Sequence, residues 1–113
     1  MTDSPVDLVR RFARVLVDRD LSALDQLLTR DCVDHDALPG LPGGAGGVKL
    51  KLALYLAQHA DARSDLERVV ELPDRRVEAY WTTTFASGEA SRFCGMFSIE
   101  ARRIAAFRVD RVG

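Results

Sequence analysis

The hydrophobic period of this chain changes once, near Arg63, and that change limits the fold more than any other feature. Before it, apolar residues recur every three or four positions; after it, they recur every second position. Helices therefore come first and a meander of strands last, segregated along the sequence as in the α+β class. A chain of 113 residues buries about two thirds of its unfolded surface, enough for one core. Residues 1–113 read as a single domain.

Ser4-Pro5-Val6-Asp7 carries the marks of a helix start: a capping serine, a proline at the first helical position and an acid in the first turn. Val9, Phe12, Ala13 and Leu16 then form an apolar stripe, with Arg10, Arg11 and Arg14 off it as a solvated face. Asp20 can cap a second short helix carrying Leu21, Leu24, Leu27 and Leu28, which ends before Asp31. A short, isolated extended segment is predicted over 32–36. Residues 39–47 hold five glycines and two prolines and predict a flexible loop or rim. No GKS or GKT follows, so this run is not a phosphate-binding P-loop. A third helix is predicted over 48–60, with Val48, Leu52, Leu56 and His59 on one face. The alternating runs 66–72, 76–86, 91–100 and 103–112, separated by turn signals at Pro73-Asp74-Arg75, Ser87-Gly88-Glu89 and Ala101-Arg102, predict four sequential antiparallel strands.

Charge narrows the function classes. Sixteen Lys plus Arg oppose 17 Asp plus Glu, a net charge of -1, which lacks the cationic excess that phosphate backbones require. Nucleic acid and membrane surfaces are not expected partners, and no uncharged run approaches the roughly 20 residues of a membrane span. The N-terminus lacks the apolar core of a secretory signal, so the expected location is cytoplasmic. Cys32 and Cys94 lie far apart without CxxC spacing and read as small buried hydrophobes in a reducing compartment. Fourteen arginines against two lysines fit a GC-rich genome and carry no functional weight.

Two helices, a short strand, a third helix and a long meander are similar in order to the nuclear transport factor 2-like cone, a curved sheet wrapped around three helices to enclose a pocket. The run Asp31-Cys32-Val33-Asp34-His35-Asp36, with the glycine-rich loop leading to Gly47-Val48-Lys49, resembles the VDHDP...G...GVK stretch of SnoaL-like polyketide cyclases. Phe97 to Ile104 resembles that family's F-x-I-x-x-G-K-I turn, with Arg102 where glycine is usual. The resemblance covers nearly the whole chain. It implies a small apolar or polycyclic carbonyl compound as ligand, no cofactor, and a homodimer formed through the outer sheet face, where Tyr80, Thr82, Thr84 and Met96 lie. No metal is expected, because Asp34 and Asp36 point away from His35 and no second histidine pairs with it.

Ketosteroid isomerases share that fold and use a carboxylate base with a tyrosine and a protonated acid as oxyanion donors. Aligned through Asp20, Val33 and Gly47, Phe12 stands at the donor tyrosine, Gly95 within about one residue of the acid, and His35 on the base. Tyr55 coincides with a supporting tyrosine. The oxyanion hole is missing, which argues against steroid isomerase activity. Alternation puts His35 on the face of Val33, inward if the strand packs on the core, with Asp34 and Asp36 opposite, so His35 is the expected general base.

Asp110 stands where SnoaL-like cyclases carry their proposed base. If Ala105, Phe107 and Val109 face the pocket, Arg108 and Asp110 face out as a surface pair; a bulge would turn both inward. Apolarity favours the first arrangement. Phe12, Trp81, Phe93 and Phe97 are the expected ligand wall, and Tyr55 or Arg108 the expected enolate donor. These residues suit proton abstraction next to a carbonyl, giving aldol-type cyclisation or isomerisation. The rival expectation is a non-catalytic ligand-binding or dimerisation module, since two of three isomerase roles are absent. A relative whose pocket has filled in is the third.

Overall fold

A computed structural model of the chain describes residues 4–112. Helix α1 spans Pro5–Asp18 and opens with a capping box. The Asp7 amide donates to Ser4 Oγ at 3.1 Å and the Ser4 amide to Asp7 Oδ2 at 3.4 Å. Leu8, Val9, Phe12 and Val15 form its buried face. The chain leaves α1 at Arg19, left-handed at φ 57°. The Arg19 guanidinium donates to the carbonyls of Leu56, His59 and Ala60, satisfying acceptors at the end of the third helix.

The second helix is shorter than its leucine spacing implies. A 3-10 turn at Leu21–Ala23, capped by Asp20, runs into a single α turn, α2, at Leu24–Leu27. Leu28 already begins strand β1, Leu28–Asp34. That strand is not isolated: it joins the sheet edge parallel to the last strand, so the sheet is mixed rather than wholly antiparallel. Helix α3 covers Gly44–Gln58 and starts four residues before the expected position, because the end of the glycine run forms its first turn.

Strands β2 (Arg63–Leu72), β3 (Arg76–Thr84), β4 (Ala90–Glu100) and β5 (Arg103–Val112) form the antiparallel meander, in the order β1-β5-β4-β3-β2. Two bulges bend it. Glu67 is the extra residue between the pairs Leu66 with Trp81 and Arg68 with Tyr80. Ala105 is the extra residue between Ile99 with Ile104 and Ser98 with Ala106. The second bulge lets Ile104 and Phe107, three positions apart, both enter the core. α1 lies across β2 and β3, and α3 against β1. Beneath α1, Phe12, Phe97 and Phe107 form a ring triad with centroids 5.6 to 5.8 Å apart. This is the cone-shaped α+β architecture of nuclear transport factor 2-like proteins.

The β4–β5 hairpin turns through Ala101 and Arg102 alone, at φ 49° and 63°. Consecutive positive φ values favour glycine, and a side chain there costs about 1 kcal/mol or more. Arg102→Gly is expected to raise stability by about 1 kcal/mol and the melting temperature by a few degrees. An unchanged or lower melting temperature would show that the turn is not strained.

Candidate functional site

Between α1, α3 and the concave sheet face lies a cavity of about 180 Å³. Phe12, Trp81, Phe93, Phe107 and Val109 contribute its apolar wall. Trp81 and Phe93 stack at 6.0 Å and 26° across neighbouring strands. Phe97 does not line this cavity but a separate, smaller hollow of about 40 Å³ between α1 and strands β2 and β3, which also touches Phe12 and Trp81. Gly95 leaves less room than its missing side chain suggests, because the Phe97 and Trp81 rings lean over it. A Cβ there would lie 2.8 Å from the first and 2.9 Å from the second.

The cavity's polar atoms come from Asp34, Lys51, Tyr55, Ser64 and Thr83. Ser64 and Thr83 bond to each other at 2.9 Å. The Tyr55 ring packs 4.9 Å from His59, which packs in turn on Phe85, and its hydroxyl has no hydrogen-bond partner among the described residues.

Among the described residues Asp34 is the one carboxylate on this wall, and its side chain is only 5% exposed. Its Oδ2 accepts from Lys51 Nζ at 2.9 Å and its Oδ1 from the Asp36 amide at 2.8 Å. Lys51 Nζ also donates to the Asp36 carbonyl at 2.7 Å. A buried charge persists only when paired and hydrogen-bonded, and this one is both. The turn is fixed to β5 as well: the His35 amide donates to the Phe107 carbonyl at 3.0 Å, and the Val109 amide to Asp36 Oδ2 at 2.9 Å.

This arrangement corrects the placement of His35. The parity of β1 is the reverse of the one that turns Val33 inward: Leu28 and Cys32 are buried, Asp34 follows them, and Val33 is 50% exposed. The His35 side chain is exposed and lines none of the cavities. Only its backbone serves the site. A valine normally marks the inner face of a strand, but on this edge strand the adjoining loop covers it in part.

Arg108 and Asp110 take the outward arrangement that apolarity favours, which corrects the ligand-binding and catalytic roles expected of them at this cavity. They pair at 3.3 Å along the outer face of β5, with side chains 63% and 64% exposed, while Phe107 and Val109 face the cavity. The bulge that could have turned them inward lies upstream, at Ala105. The same outer face is more charged than β3 alone suggests. Tyr80 sits between Arg68 and Arg92, and Glu67 accepts from Thr82 at 2.7 Å and Arg92 at 3.1 Å. Hydrogen bonding from Thr82, with the Arg92 charge, holds the Glu67 carboxyl below its usual range.

Sequence reasoning passed over Lys51. Its signal was present: Val48, Lys51, Leu52 and Tyr55 share one helical face, and a lysine in such a stripe needs a buried partner. Cys32 is a free, buried thiol. Burial, aided by the Asp34 charge, pushes its thiol up to about 11.

The cone thus carries a half-open, apolar-walled cavity with one paired carboxylate on its wall among the described residues. Residues 9–107 match the SnoaL-like domain, and the chain belongs to that family. A candidate polyketide cyclase from Bacillus cereus superposes with a TM-score of 0.82 at 16% identity, over 95% of this chain and 73% of the other. IdmH, a candidate polyketide cyclase from Streptomyces antibioticus, superposes at 0.79 with 20% identity, over 96% and 92%. An NTF2-like protein of unknown function from Mesorhizobium loti reaches 0.74 at 26% identity, over 96% and 91%. At such identities the likeness establishes the fold. Comparison with curated proteins finds no match. No helix among the described residues is long and apolar enough to cross a membrane.

Proposed function

We propose that the central cavity binds a small, largely apolar carbonyl compound and that Asp34 abstracts a proton from the carbon next to the carbonyl. The observation that carries this reading is the buried carboxylate facing an apolar wall. The C–H electron pair moves into the bond to the carbonyl carbon, and charge builds on the oxygen. Lys51 Nζ or the unpartnered Tyr55 hydroxyl, both on the same wall, can donate to that oxygen. The enolate carbon then attacks a second carbonyl, whose C=O π pair becomes an alkoxide that takes the proton from Asp34, as in an aldol closure. Where a neighbouring C=C makes the enolate a dienolate, its far carbon takes that proton instead and the double bond moves. The chemistry needs no cofactor.

A second reading, a non-catalytic binding module, is favoured by one observation: each Asp34 oxygen already accepts a hydrogen bond from its own turn or from Lys51. Both readings expect aryl and polycyclic ketones to change Trp81 fluorescence. They part on α-proton exchange, which can be followed by NMR in deuterated water without knowing the natural substrate. Faster exchange in bound ketones than in buffer is expected. Binding without faster exchange would leave the module, and no binding by any apolar ketone would remove both.

A further inference from the structure

We infer that Lys51 is a movable partition between two chambers of one ligand site, so that the protein accepts an elongated molecule with its polar group between two apolar arms. This rests on the reading of the central cavity as a carbonyl site. A second cavity of about 190 Å³ lies beneath the loop of residues 37–43, lined among others by Cys32, Val33, Leu38 and Leu41. It shares three residues with the central cavity: Asp34, Val48 and Lys51. The ion pair is thus the wall between them.

Size supports joining the chambers. Ligand sites typically measure about 300–1,000 Å³, which neither chamber reaches alone and both reach together. The two sides of the wall differ in mobility. Asp34 is fixed by its turn and 5% exposed, whereas Lys51 is 27% exposed, hangs on a flexible stem and is held only at its tip. Turning its ammonium onto the carbonyl oxygen of a bound ligand exchanges its bond to the Asp36 carbonyl for one to the ligand, while the cation stays beside the Asp34 carboxylate, which also keeps the Asp36 N–H. The second chamber is also incompletely covered: Val33 is 50% and Leu38 44% exposed, apolar surface that a ligand arm would bury. A polar pair between two apolar hollows fits an internal carbonyl better than a terminal one.

The test is a series of aryl ketones in which the alkyl group beyond the carbonyl grows from one carbon to six, with affinity read by calorimetry and Trp81 fluorescence. Affinity is expected to rise about three- to fourfold per added methylene until the second chamber is full. Leu41→Trp, which fills that chamber, is expected to remove the gain while leaving the aryl methyl ketone within twofold of wild type. Leu41→Ala, which enlarges the chamber, is expected to move the plateau to a longer arm, and it stands alone if the tryptophan variant does not fold. A gain absent in wild type, or untouched by both variants, overturns the partition. If the methyl ketone binds but longer arms add nothing, only the partition fails; if the methyl ketone does not bind, the central-cavity reading fails and takes the partition with it.

Discussion

Asparagine at position 34 is expected to slow α-proton exchange in bound ketones by about 10²- to 10⁴-fold, while affinity read by Trp81 stays within about threefold. The amide keeps an oxygen for the Asp36 N–H, so the turn that presents the side chain survives. Basicity is what disappears. Lys51 loses its carboxylate partner at 2.9 Å but is 27% exposed and can turn to water, so the expected loss of stability is about 1–2 kcal/mol. His35→Ala is the matched control. Its ring is exposed and only its amide, bonded to Phe107, serves the fold, so exchange is expected within about twofold of wild type. Exchange surviving Asp34→Asn within tenfold, with a fall of about 10²-fold or more in His35→Ala, would return the role of base to the imidazole.

That contrast shows where the sequence stops being legible. Interior strands announced their faces: Val77, Ala79 and Phe97 are buried as simple alternation demands, because both neighbours of each strand are already paired and only one face meets α1. β1 is an edge strand with an irregular register between Leu28 and Val33, and there a single valine misled the parity. One step of register reverses every side chain. The histidine and the aspartate therefore exchanged places, and the candidate base with them.

The helices failed differently. Spacing of leucines described α2 as far as Leu27, but nothing local marks Leu28 as the first residue of a strand. The Arg103 guanidinium, 75 positions away, bonds to the Leu28 carbonyl at 3.3 Å and to that of Asp25 at 2.7 Å. Lys51 was hidden for a related reason: its partner is 17 residues upstream on another element, beyond the reach of any helical or strand period. Elements follow from local pattern, whereas the site is made of pairings between elements. Positions where local rules misdirect are also where function is expected to gather.

Two adjacent glycines give the largest expected effect on stability, and with opposite signs. Gly46 and Gly47 both lie in the first turn of α3, where alanine is favoured over glycine by up to about 1 kcal/mol. A Cβ on Gly46 meets nothing within 4 Å, so Gly46→Ala is expected to raise the urea midpoint. A Cβ on buried Gly47 would sit 1.8 Å from the Pro42 carbonyl oxygen and 2.9 Å from its carbon. Both are backbone atoms and cannot rotate away. Gly47→Ala must therefore push the loop off the helix, at a cost of about 3 kcal/mol or more, a large share of a total near 5–15 kcal/mol. The displacement would also open the second chamber, whose wall includes Pro42 and Gly47, so the long-arm ketones should lose more affinity than the methyl ketone. Two variants that shift the midpoint in the same direction by similar amounts would mean that the loop does not rest on α3 at Pro42, and the roof of that chamber would have to be redrawn.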